Sequence, residues 1–252
     1  PRTSGIDMNR TFDYQWNRYD IETKDGQQIG NVNWTTAGTA PATEPEIKAL
    51  QQFMYTRNMA ALVTLHTGIQ SVLYPWCYRA YDANNPDDAE IPFMKETAAK
   101  MAQVFQDYTG RGFYSMSSNE DYPTAAELID YAYGRYNIHA YTIEVYSPGK
   151  SEDGDISACK WENTMPEAKW VFYSRDEIRD VLGLAPDAIT DSEGVGLAAD
   201  EGLWFYTSPT NQMVNRAPEE QDVMVRGCRD AILTMIESEP SGSGYQNPGY
   251  YK

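Results

Sequence analysis

The chain has 252 residues, 41% of them hydrophobic and 23% charged, enough for one large domain or two small ones around a buried core. Its 20 Lys+Arg face 37 Asp+Glu, a formal charge of −17, and so acidic a surface repels phosphate backbones and argues against nucleic-acid partners. No apolar run approaches the roughly 20 residues of a membrane-spanning helix, and 19 Tyr, 7 Phe and 6 Trp are too much burial material for an unfolded chain.

The opening Pro1-Arg2-Thr3-Ser4 has the look of a processed or truncated end. Residues 3–9 read as a short strand, in which Gly5, Ile6 and Met8 precede the polar Asn9-Arg10. Asp13 to Ala42 is aromatic, polar and rich in Gly, Thr and Asn, the composition of a long irregular loop. Thr43-Glu44-Pro45-Glu46 has the form of a capping box with Pro in the first turn. The helix it predicts runs to about Arg57, with Ile47, Leu50, Phe53 and Met54 on one face. Ala60 to Leu65 is a continuous apolar run ending in His66, the pattern of a strand buried on both faces.

A loop from Asp82 to Glu90 leads into a helix from Pro92 to about Tyr108, stopped by Gly110. Thr124-Ala125-Ala126-Glu127 predicts a second capping box, with its helix closed by Gly134. Asn137 to Tyr146 is β-branched and aromatic, hence a strand, with Glu144 near its end. Ser174-Arg175-Asp176-Glu177 opens a short helix to about Leu182. Ala217-Pro218 begins the last long one, with Val223, Ile232, Leu233 and Ile236 toward the core. Residues 239–252 read as a flexible tail or linker. The three cysteines are too few and too scattered for a disulfide scaffold. Three buried thiols, or a bridge between Cys228 and Cys159 in its polar loop, both stay open.

Helices alternating with buried strands imply an α/β fold: a mixed, largely parallel twisted sheet flanked by helices. Ligand sites in such sheets lie beyond the carboxyl ends of the strands, and His66 and Glu144 both occupy such ends. Taken singly, each reads as an ordinary strand-end polar residue. Together they suit a metal ligand beside a general base.

Several segments carry a resemblance. Gly5-Ile6-Asp7-Met8-Asn9-Arg10, Thr43-Glu44-Pro45-Glu46-Ile47-Lys48-Ala49, Leu65-His66-Thr67 with Leu73-Tyr74-Pro75-Trp76, Tyr122, Ile129-Asp130-Tyr131-Ala132-Tyr133-Gly134 and Tyr141-Thr142-Ile143-Glu144 succeed one another in one order. This series resembles the zinc carboxypeptidases of the carboxypeptidase A/T type over most of residues 1–146, and again at the last helix.

The resemblance implies residues 1–238 as the carboxyl-terminal portion of a catalytic domain, with the sheet's first strands absent. It implies one Zn2+ with His66 as a ligand, and Glu144 as the general base that works on metal-bound water. Asn9 and Arg10 would grip the terminal carboxylate of a peptide or protein substrate, for which a guanidinium fork is suited. Tyr122 would close over the substrate. Ile129 would set a preference for apolar or aromatic last residues. A secreted enzyme that removes C-terminal residues is the expectation, partnered by the missing amino-terminal portion of its own domain.

The pattern also departs. Catalytic zinc takes about three protein ligands and an open water position, and two of these in the family come from a His-x-x-Glu segment. None exists here: His66 is followed by Thr67-Gly68-Ile69, and His139, the only other histidine, by Ala140-Tyr141-Thr142. Strand alternation puts His139 on the face opposite Glu144. Thr11 stands where an asparagine is usual, and Gly68 where an aromatic is frequent. A zinc-free binding or structural module on the same fold is therefore the rival expectation. An amidase of cell-wall peptides would share the same residues.

Overall fold

The computed structural model describes residues 6–16, 21–22, 28–29, 37–110, 112–145, 169–190, 194–198, 200–207 and 218–240. Two short strands, β1 (Ile21–Glu22) and β2 (Gln28–Ile29), pair antiparallel ahead of helix α1 (Pro45–Tyr55). The central elements are β3 (Ala61–His66), β4 (Ser71–Tyr74), α2 (Ile91–Thr109), β5 (Tyr114–Ser117), a one-turn α3 (Ser118–Asp121), α4 (Leu128–Tyr136) and β6 (His139–Glu144). The strands lie in the order β3-β6-β4-β5. β3 runs parallel to β6 and β4 parallel to β5, while β4 and β6 are antiparallel. The sheet is mixed and mostly parallel, as the alternation of elements predicts. Beyond it, a separate antiparallel pair, β7 (Lys169–Ser174) and β8 (Gly202–Thr207), flanks α5 (Arg175–Asp180), and the long helix α6 spans Pro218–Ser238.

Strand periodicity divides the core into two layers. Tyr141 and Ile143 of β6 join Val72 of β4 with Met94, Met101 and Phe105 of α2, against Ala231 and Met235 of α6. Ala140 of β6 and Leu62 of β3 instead pack with Ile47 and Met54 of α1 and Ile129 of α4.

Three helix ends match their sequence signals. Gly110 closes α2 in the left-handed region (φ 62°), Pro45 opens α1, and Ser174 and Glu177 cap α5 reciprocally. Others do not. Residues 6–7 form no strand, and Met8–Arg10 forms a 3-10 turn capped by the Asp7 side chain, which accepts the Asn9 N–H at 2.9 Å. At α1 the Thr43 hydroxyl donates to the Glu44 carboxylate at 3.0 Å, and no side chain caps the helix. Thr124 likewise bonds Glu127, so α4 starts at Leu128. That helix then runs through Gly134 to a left-handed Asn137 cap. Glycine at 134 serves contact: a Cβ there would lie 2.2 Å from Tyr14 Cζ.

β3 is half open, not buried on both faces. Leu65 is 55% exposed, because β3 is the edge strand of its sheet and no strand lies beyond it among the described residues. On α6 the core face is Ala231 and Met235, with Cys228 and Ile232 beside them, while Leu233 and Ile236 are exposed. Close approach to α2 is made at Gly227 and Ala231. Cys77 and Cys228 are free thiols. Cys159, residues 241–252 and much of the 13–42 loop lie outside the described residues, and with them the suggested bridge and most of the tail. Glu239, the first residue of that tail, is tied to His139. No described helix is long and apolar enough to cross a membrane.

Candidate active site

Parallel pairing brings the carboxyl ends of β3 and β6 to the same edge, and their register places His66 directly opposite Glu144. Both share the alternation that sends Leu62 and Ala140 toward α1 and α4. His66 Nδ1 lies 3.9 Å from Glu144 Oε1. The other carboxylate oxygen, Oε2, is buried and has no hydrogen-bond partner among the described residues. Burial, with Asp121 and Glu127 adding negative charge, pushes the Glu144 carboxyl up to about 8, against the opposing pull of Arg10 and the Ile69 N–H. Burial also holds the His66 imidazole below its ordinary value; Arg10 acts in the same direction, and Glu127 and Asp7 oppose. Burial thus disfavours the charged form of both groups.

Arg10 reaches this edge from the 3-10 turn. Its Nη1 donates to the Asn9 carbonyl at 2.9 Å, and its Nη2 donates to the Tyr122 hydroxyl at 2.9 Å. Nη1 also lies 3.0 Å from Glu127 Oε1. Burial works against the guanidinium charge, but Glu127, Tyr122 and Asp7 outweigh it and hold the group firmly cationic. Asn9 spans the turn and α4: its Nδ2 donates to Glu127 Oε2 at 3.3 Å, and its Oδ1 accepts the Leu128 N–H at 2.9 Å. Tyr122 is 53% exposed, its ring centroid 6.0 Å from the guanidinium carbon.

Five of the six sequence-predicted residues thus meet at one edge of the sheet. The sixth, Ile129, is 1% exposed within the α1–α4 core and presents no surface to a ligand. His139 lies on the far face, as alternation predicts. It is hydrogen-bonded to Glu239 at 2.9 Å and stacked near Phe93, which is a structural use of imidazole. A cavity of about 380 Å³ lined by Tyr74, Tyr81, Lys95 and Glu120 includes none of the six.

Sequence reasoning missed Glu127 and Asp130. Glu127 was readable as a helix-cap acid, and only its meeting with residues 9 and 10 across the fold reveals another use. Asp130 is fully buried and accepts the Cys77 N–H at 2.9 Å and 3.0 Å. Its carboxyl is pushed up to about 7, first by burial, with Cys77 opposing and Glu127 adding to the rise.

The donor set can be tested against zinc. A neutral His66 suits a metal, and the partnerless Glu144 oxygen would welcome a cation. Yet no three His, Cys, Asp or Glu side chains converge as a metal site among the described residues, whereas a catalytic zinc takes about three. These residues do not fit a self-contained zinc centre.

A model of one protein family, described as zinc carboxypeptidase, matches residues 1–165. Mast cell carboxypeptidase A of Homo sapiens is 27% identical over 157 residues, covering 58% of this chain and 33% of that protein. Carboxypeptidase O of Bos taurus is 28% identical over 149 residues, covering 58% of this chain and 36% of that protein. Among solved structures, that of thrombin activatable fibrinolysis inhibitor aligns with 57% of this chain and 34% of its own, at a TM-score of 0.44 and 19% identity. The chain spans about a third of the length of the curated relatives it matches.

Proposed function

This chain belongs to the zinc carboxypeptidase family, and on that premise we propose that its cluster binds the free C-terminus of a peptide and contributes a proton-transfer group to hydrolysis of the last peptide bond. The observation that carries the proposal is a cationic, hydrogen-bonded Arg10 set at the same sheet edge as the His66–Glu144 pair. A guanidinium there attracts a terminal carboxylate, and Tyr122 forms an exposed wall beside it. Ile129, buried away from any ligand, sets no preference for the last residue, and the proposed setting is extracellular.

Burial raises the Glu144 carboxyl above its ordinary range, which suits a group that takes up a proton in one step and returns it to a leaving amine in the next. Zinc is the family's metal. His66 is the one imidazole that this site offers toward it, and the remaining donors would have to come from outside the described residues. The lack of a three-donor cluster among the described residues favours a second reading, a zinc-free module that binds C-termini without cleaving them.

The test is equilibrium binding of two peptides that differ only in a free or an amidated C-terminus, with zinc content and cleavage measured on the same native protein. The free acid should bind more tightly. Arg10→Ala should erase that difference, a loss of about tenfold or more for a charge-assisted contact. Equal binding of both peptides to the unaltered protein would refute C-terminus recognition. Bound zinc with cleavage selects the enzyme over the binding module.

A further inference from the structure

We infer that Glu127 is a specificity residue: an internal carboxylate seated on the Arg10 and Asn9 donors, which a peptide's terminal carboxylate must displace. The inference rests on the reading of Arg10 as a carboxylate receptor and names what already occupies it. Both Glu127 oxygens are engaged, Oε1 by Arg10 Nη1 at 3.0 Å and by the Thr124 hydroxyl, Oε2 by Asn9 Nδ2 at 3.3 Å. A guanidinium and an amide acting together on one carboxylate are the same donors that a ligand's chain end would use.

The arrangement is built rather than incidental. The Glu127 and Arg10 side chains are only 8% and 13% exposed. Asn9 is oriented by its own side-chain oxygen, which accepts the Leu128 N–H and so turns the amide NH2 toward Glu127. Nor does the helix occupy this acid: Glu127 sits at the first position before α4, but its side chain makes no capping bond. Three of the five Arg10 N–H groups are already engaged, two on Nη1 by Glu127 and the Asn9 carbonyl and one on Nη2 by Tyr122, so a ligand that uses both Nη groups meets Glu127. A ligand carboxylate arriving beside Glu127 would put two anions on one guanidinium. Like charges at contact distance disfavour that state. Displacement of Glu127 is the favoured route, so its carboxylate lowers the site's selectivity for charged over uncharged chain ends.

The experiment compares the unaltered full chain, Glu127→Gln and the double variant Arg10→Ala/Glu127→Gln. Binding is measured for an acetylated tetrapeptide ending in phenylalanine with a free carboxylate, and for its carboxamide. Glutamine keeps an oxygen for Arg10 and removes the negative charge. Thermal melting confirms folding of each variant, and Glu127→Ala serves in its place should the glutamine variant not fold. Relief of the competition should raise affinity for the free acid by about tenfold. It should leave the carboxamide unchanged, and the gain should vanish in the double variant. Unchanged or weaker binding of the free acid by Glu127→Gln would overturn the inference and make Glu127 a support that positions Arg10. If the unaltered protein discriminates through Arg10 and Glu127→Gln gains nothing, this inference falls alone. If neither protein discriminates, the C-terminus reading falls with it.

Discussion

Asp130 illustrates how one residue couples the site to the fold. Its carboxylate ties α4 to the backbone at Cys77 from a fully buried position, and burial lifts its carboxyl from 3.8 to about 7. Between those values the unfolded chain has released the proton that the folded chain still holds. The folded state then binds more protons than the unfolded one, so this residue's contribution to stability falls as pH rises from about 4 to about 7 and levels off above. Asp130→Asn mimics the protonated acid and keeps an oxygen for the Cys77 N–H. Its stability relative to the unaltered protein should therefore climb across that interval, by an amount on the order of a few kcal/mol. Denaturant melts of both proteins at pH 4, 6 and 8 read the difference directly. A constant gap across pH would show that Asp130 is ionised throughout.

Among the elements, the misread helices share a cause. Thr43-Glu44 and Thr124–Glu127 carry the letters of N-terminal caps, but each hydroxyl turns to the neighbouring carboxylate and leaves the helix end uncapped. Gly110 worked as a stop signal because its reason is local, a positive φ. Gly134 and Gly227 are small for reasons of long-range contact, which no window of sequence contains. The two differ in what a methyl group would meet. At Gly134 it overlaps the Tyr14 ring, which is itself stacked on Trp76 and set edge-on to Tyr78; at Gly227 it comes within 2.8 Å of the Phe105 ring, wholly buried in the α2–α6 interface. Helix propensity favours Ala over Gly by about 1 kcal/mol, while overpacking a core costs about 1–3 kcal/mol. Both Gly227→Ala and Gly134→Ala should accordingly lower stability, Gly134→Ala the more because its overlap is the closer. Urea melts of the two variants decide the ranking, and a stabilised Gly227→Ala would mean that α6 can shift away from α2.

For the molecule as a whole, strand pattern and strand ends made much of the architecture and two residues of the cluster legible. His66 and Glu144 were visible because alternation and parallel pairing fix which edge and face their side chains share. Glu127 was not, since its use depends on residues 9 and 10 arriving from more than a hundred positions away in sequence. The half-open β3 was hidden for a similar reason: an apolar run looks alike at the centre and at the edge of a sheet. Charge is the property that the sequence states most plainly, and it bears on function through range. A formal −17 opposes the approach of any carboxylate, while the one guanidinium at the site acts only at contact. The screening length shrinks from about 30 Å at 0.01 M salt to about 10 Å at 0.1 M. Association of a peptide of net charge −2 should therefore quicken severalfold over that range, and association of one of net charge +2 should slow. Stopped-flow rates with two peptides that share the same last three residues separate this field from the contact at Arg10. Rates that do not respond to salt would place the control of capture in the local charges of Arg10 and Glu127 instead.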